Sequence, residues 1–195
     1  MVVTDPYDSS TGLKLPTLTA NVVTVSHDHP QHNNAKAVGG SPKVFNWPGE
    51  YETMGVHFKS IHSFHNAKDD KEQNENSVFT ININGFRVCH LGDQGTKLTP
   101  EQLEQVGEVD ILFVPVGGKD TVDAKKAKEI VEQIEPRIVI PMAYNTDGSK
   151  MGFDPVDPFL SAMGNANAER LPVFTCKKSE LPEDTTKLVV LEQIQ

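Results

Sequence analysis

The stretch "SVFTINING" runs straight into "FRVCHLG". Two extended, β-branched segments meet there at Asn84-Gly85, and both turn residues tolerate positive φ. That pairing predicts a tight hairpin and commits the middle of the chain to antiparallel sheet. Strand-like runs also precede it, at "NVVTV" (21–25) and "KVFN" (43–46), separated by a short helix-compatible stretch that "GGSP" ends. Residues 51–63 read as one long extended segment. The polar run "NAKDDKEQNENS" (66–77) has nothing to bury and predicts a mobile surface loop. After Asp93 the pattern changes. Thr99 and Pro100 open a short helix that Gly107 ends. "ILFVPV" (111–116) is a buried strand, and Asp123 caps a helix carrying Ala124, Ala127, Ile130, Val131 and Ile134 on one face. "RIVIPMAY" (137–144) and "KLVVLEQI" supply two more strands, with a loop running into a short helix between them. Strands dominate first and then alternate with helices, which fits one α/β domain over residues 1–195 with stacked sheets.

Composition narrows the function classes. A chain of 195 residues can bury a core without disulfides. A formal charge of −9 argues against a nucleic-acid-binding face and against docking on anionic membrane. Cys89 and Cys176 give no disulfide framework, so a reducing compartment is expected. The start "MVVTDPYDSS" lacks a basic n-region, and Asp5 and Pro6 interrupt its apolar stretch, so no secretory signal is expected. No apolar run nears the roughly 20 residues of a membrane span. The expectation is a cytoplasmic protein that acts on a small molecule.

The chemistry concentrates in "VSHDHPQHNN", residues 25–34, where His27, His29 and His32 follow a strand. In an extended segment positions i and i+2 face one side, so the imidazoles of His27 and His29 can converge. Neutral imidazole is a good zinc ligand, and three histidines plus water describe an open, catalytic type of site. His32, His57, His62, His65 and His90 are the candidates for the third ligand. A solvated polar turn would explain the cluster as well. Two strand ends weigh toward a site: "CHLGDQG" sets Asp93 behind Gly92, and "IVIPMAYN" ends a buried strand in a turn.

Together "VTDPYD", "VSHDHPQHNN", "SFHN", "CHLGDQG", "VPVGG" and "IPMAY" resemble the metallo-β-lactamase superfamily. The likeness is to its metal-dependent hydrolases related to the ascorbate-phosphate lactonase type. The resemblance implies an αββα sandwich, two mixed sheets flanked by helices, with a metal site at one edge. It matches His27 and His29 to the first ligand pair and His65 to the lone histidine of a first metal site. It matches Asp93 to the carboxylate that bridges two metals, and His32 to the last histidine of the signature. It makes Asp5 a brace for a ligand histidine.

The departures from that pattern predict one ion rather than two. Gln31 stands where the signature has aspartate, and Ala143 where a late histidine belongs; an amide is a poor donor to zinc and a methyl none. The expectation is therefore one divalent metal, most simply zinc, on His27, His29, His65 and Asp93. It would activate water for hydrolysis of a small ester, lactone or phosphate ester, with Asp93 and His32 as catalytic groups. A catalytically silent relative that binds metal or ligand, or serves in an assembly, is the alternative. His90 has the strand parity of Val88 and reads as packed or solvated, as do His57 and His62. Trp47 reads as a core or pocket-wall residue. Members of the family usually open with a β-hairpin before the strand at which this sequence starts, so the expectation is either a start further upstream or an exposed sheet edge open to homo-oligomerisation.

Overall fold

A computed structural model describes residues 1–65 and 75–194. It contains two sheets. The smaller joins β1 (Val2–Thr4), β2 (Val22–Thr24) and β3 (Lys43–Phe45), all parallel, in that order. The larger is mixed and holds β4 (Gly49–Thr53), β5 (Val56–Phe64), β6 (Glu75–Ile83), β7 (Phe86–His90), β8 (Ile111–Pro115), β9 (Ile138–Met142), β10 (Glu169–Leu171) and β11 (Lys187–Leu191). Its spatial order is β10-β11-β9-β8-β7-β6-β5-β4. The first four of its strands in sequence pair antiparallel, and pairing is parallel from β7 onward.

The predicted hairpin lies where its turn chemistry put it, with Asn84 and Gly85 at φ 51° and 80° between β6 and β7. The segment 51–63 differs from expectation: it is two strands hinged at Met54-Gly55, both with positive φ. Of the run expected to be a surface loop, residues 66–74 lie outside the described residues, and 75–77 already belong to β6. Helix α1 (Pro100–Val106) carries a full capping box between Thr99 and Gln102. Helix α2 (Ala124–Ile134) starts at Asp123, whose carboxylate accepts from the Lys126 amide. Helix α3 (Asp157–Ala162) follows the Pro- and Gly-containing loop.

Burial explains the layers. Val22 and Phe45 of the small sheet pack on Phe58, Phe79 and Ile81 of the large one, with Phe45 edge-on to Phe58 at 5.1 Å. The opposite face of the large sheet, including Val78, Leu112, Val114 and Val190, is covered by α1, α2 and α3. On the outside of the small sheet, among the described residues, a single 3-10 turn and the preceding loop cover Val23 and Val25, so the outer helical layer is thin there. Trp47 is 67% exposed and belongs neither to the core nor to a pocket wall. Among the described residues no helix is long and apolar enough to cross a membrane.

The sheets are pinned together at the end of β7. A Cβ added to Gly92 would lie 2.3 Å from Asn76 Oδ1 and 2.6 Å from Ser26 Cβ, and its φ is +57°. Only glycine lets the strand ends carrying Ser26 and Asp93 approach so closely. Gly92→Ala is expected to cost about 3 kcal/mol or more, from overpacking and left-handed backbone together. A lowered urea midpoint with unchanged slope would report it.

Candidate metal centre

The site grows from the ends of β1, β2, β5 and β7. Asp5 follows β1 at φ 44°, in the left-handed region that aspartate tolerates better than most residues, and its amide donates to Thr24 O. Its Oδ1 accepts the Ser26 amide at 2.7 Å; its Oδ2 accepts the Ser26 hydroxyl at 2.6 Å and His32 Nδ1 at 3.0 Å. Burial alone would raise the carboxyl pKa, but the hydrogen bond from His32 and the charges and hydroxyl around it hold the group far below the usual range.

The proton pattern of the histidines follows from these partners. Ser26 gives its only hydroxyl proton to Asp5, so at 3.0 Å from His27 Nδ1 its oxygen accepts and His27 carries its proton on Nδ1. His65 Nδ1 lies 3.3 Å from the carbonyl of Asp120, which can only accept, so His65 also carries its proton on Nδ1. The two Nε2 atoms are left as bare lone pairs, yet they face each other at 3.0 Å. Two lone pairs at that distance repel unless a proton or a metal cation lies between them. Two nitrogens on one tetrahedral zinc stand about 3.3 Å apart, so this donor pair fits a divalent ion. Burial, then the neighbouring His32 and His65, pushes the His27 pKa down to about 3 and keeps it a neutral ligand.

His32 is used differently. Its Nδ1 faces Asp5 Oδ2 and its Nε2 faces Asp93 Oδ2, each at 3.0 Å, so both nitrogens donate and the ring is an imidazolium. Burial disfavours that charge, but the two carboxylates outweigh it and push the pKa up to about 10. The carboxyl of Asp93 shows the same balance: burial raises its pKa, and the hydrogen bond and charge of His32 bring it down further than burial lifts it. His27, His32 and Asp93 offer donor atoms that all lie within 4.8 Å of one another.

His29 stands apart. Residues 27–33 form successive tight turns rather than an extended strand, with the His29 amide donating to His27 O and the amides of His32 and Asn33 to His29 O. The His29 ring is exposed and stacks on His27 with centroids 5.9 Å apart. Gln31 donates its amide to His29 Nδ1 over a long 3.4 Å. His57 and His62 are surface residues paired with Glu52 and Glu75.

Sequence reading missed Asn76, placed there in a surface run. It is fully buried in β6, where its amide group donates to Ser63 Oγ and Leu91 O and its Oδ1 accepts the Asp93 amide at 3.0 Å. It fixes where the Asp93 carboxylate begins. Polar neighbours hid it, because the inward-facing period was too short to show. His90, read as packed or solvated, is buried, and it also lines the cavity beside the centre.

Two packed sheets with helices on the large one, and histidine and aspartate gathered where their strands end, define an α/β sandwich of the metal-binding type. Residues 1–143 match the beta-lactamase superfamily domain, and the chain belongs to that superfamily. A Thermotoga maritima crystal structure, described as a Zn-dependent hydrolase of the metallo-β-lactamase superfamily, superimposes with TM-score 0.78 at 37% identity. It is matched over 98% of this chain and 89% of that one. A metal-dependent hydrolase from Parabacteroides distasonis shares the fold at 16% identity and TM-score 0.60, over 97% of this chain and 83% of that one. In sequence, the chain is 32% identical over 123 residues to a UPF0173 metal-dependent hydrolase of Methanosarcina mazei, covering 60% of this chain and 54% of that protein. The chain thus spans about half the length of that curated relative.

Because the Ser26 hydroxyl fixes which nitrogen of His27 is bare, Ser26→Ala is expected to weaken metal binding roughly 10- to 100-fold with the fold intact. Competition against a calibrated chelator measures it.

Proposed function

We propose that the protein is a metal-dependent hydrolase of a small ester, lactone or phosphate ester, working with one divalent ion, zinc. The observation that carries this reading is the pair of bare Nε2 atoms of His27 and His65 at 3.0 Å. The names of the Thermotoga and Methanosarcina relatives point the same way. His27 and His65 would hold the ion, with Asp93 beside His27 completing the set; the exposed ring of His29, stacked on His27, would have to turn inward to join them. A divalent ion there lowers the pKa of water and polarises the bond to be cleaved.

The chain's own residues supply the rest. Asp93 orients the attacking water, or takes its proton, with the oxygen that does not face His32. As the water oxygen bonds to the acyl carbon or phosphorus, charge develops on the ester oxygens. His32 Nε2–H can donate to the leaving oxygen as its bond breaks, which requires the hydrogen bond to Asp93 to give way. Asp5 keeps the His32 ring in place from the other side during that exchange.

One observation favours a second reading, a catalytically silent relative: His32 is tied at both nitrogens and buried between two carboxylates. Such a triad can persist for structure alone.

Elemental analysis and turnover of simple carboxylic and phosphate esters separate the readings. The expected result is about one zinc per chain, with turnover and zinc both lost in His65→Ala. Two ions per chain would overturn the one-ion site. A fully loaded protein with no turnover would establish the silent relative.

A further inference from the structure

A cavity of about 470 Å³ opens on the Asp93 side of the centre, between β1 and the strands β8, β9 and β11. That volume is typical of a small-molecule site. Val3, Leu15, Phe113, Ile140, Met142 and Leu191 give it an apolar wall. Toward the centre the lining turns polar, with His32, His90 and Asp93. No lysine or arginine lines it among the described residues. Its acidic groups are Asp5, Asp93 and Glu192, and the charge of His32 is already spent between the first two.

His90 brings one unused donor to this wall. The residue is 5% exposed, and the Gly92 amide donates to its Nδ1 at 3.2 Å, so the ring proton sits on Nε2. Among the described residues that Nε2–H has no acceptor, although the ring lines the cavity. Facing the cavity, that donor can pair with an oxygen of a bound molecule in place of water. Positions 31 and 143 line the same space, so an amide and a methyl stand where charged or metal-bound donors would have made it polar.

We infer that this cavity binds the apolar chain of an uncharged carboxylic ester or lactone, with His90 Nε2–H donating to an oxygen of the ester group. The inference rests on the hydrolase reading and selects within it. A phosphate monoester would bring two negative charges to a wall that holds carboxylates and, apart from the metal centre itself, no free cation. An uncharged ester brings an acceptor for His90 and a chain for the apolar wall. His90 is then a specificity-determining residue.

The test uses octanamide and acetamide, neutral carbonyl probes that are not esters, titrated calorimetrically into the protein both as loaded with zinc and after chelator treatment. Six added methylenes should tighten binding at least about 30-fold even if only half buried. Leu15→Glu, on a half-exposed part of the wall, should abolish that preference with circular dichroism unchanged. His90→Leu should weaken octanamide about fivefold, the loss of one hydrogen bond. Octanamide binding no tighter than acetamide would overturn the inference, whether the cavity is closed in solution by a second copy of the chain or is simply not used. Phenyl phosphate binding more tightly than octanamide would overturn it in favour of a charged substrate. Zinc uptake and ester turnover by the same preparation report on the hydrolase reading separately. A protein that binds octanamide yet takes up no zinc would retain the cavity and lose the hydrolase.

Discussion

One buried carboxylate organises the centre. Asp5 receives the Ser26 amide, the Ser26 hydroxyl and His32 Nδ1. The first bond ties the end of β1 to the end of β2. The second settles the serine proton and, through it, which nitrogen of His27 is bare. The third holds His32 against Asp93, which Asn76 has anchored from β6. Four segments far apart in sequence are thus fixed by hydrogen bonds whose donors and acceptors leave no freedom of assignment. In a site of low polarity such bonds are strong when complete and costly when broken. The ring orientations of His27 and His32 therefore follow from the strand pairing between β1 and β2.

What the sequence disclosed tracks the range of the interaction involved. Asn84-Gly85 and the Thr99–Gln102 capping box were legible because each is decided within four residues. The turn at Met54-Gly55 was not, since methionine at φ 52° carries no turn signature and is held there by the pairing of β4 with β5. Asn76 and the first residues of β6 were misread as loop, because polar side chains that are satisfied internally look the same in sequence as solvated ones. The family motifs placed Asp5, His32 and Asp93 in one site, and they meet there. The stacking of His29 on His27 could not be foreseen, because it follows from backbone turns at 27–33 rather than from strand alternation.

The protonation of His32 bears on how many ions the centre can hold. A histidine ligates through a lone pair, and here both ring nitrogens face carboxylates that only accept. With Gln31 and Ala143 offering no charge beside it, the carboxylate of Asp93 finds its nearest cation in the imidazolium. A positive charge supplied by the chain itself thus sits between Asp5 and Asp93. That arrangement neutralises Asp93 at less cost than leaving it buried and alone.

The backbone at position 143 is left-handed although its side chain offers no metal ligand. Ala143 keeps φ 50°, a left-handed conformation that alanine occupies at a cost of about 1 kcal/mol and that histidine adopts more readily. The turn holds because Gly117 lies beneath it: a Cβ there would sit 2.1 Å from the Ala143 carbonyl oxygen and 2.7 Å from Phe153 Cβ. The Gly117 amide region is further tied to this loop through the Asp154 amide, which donates to Gly117 O. The shape of the turn is thus set by backbone contact between the ends of β8 and β9, independently of the side chain it presents. The strain at Ala143 is therefore held by the surrounding packing rather than by its own side chain.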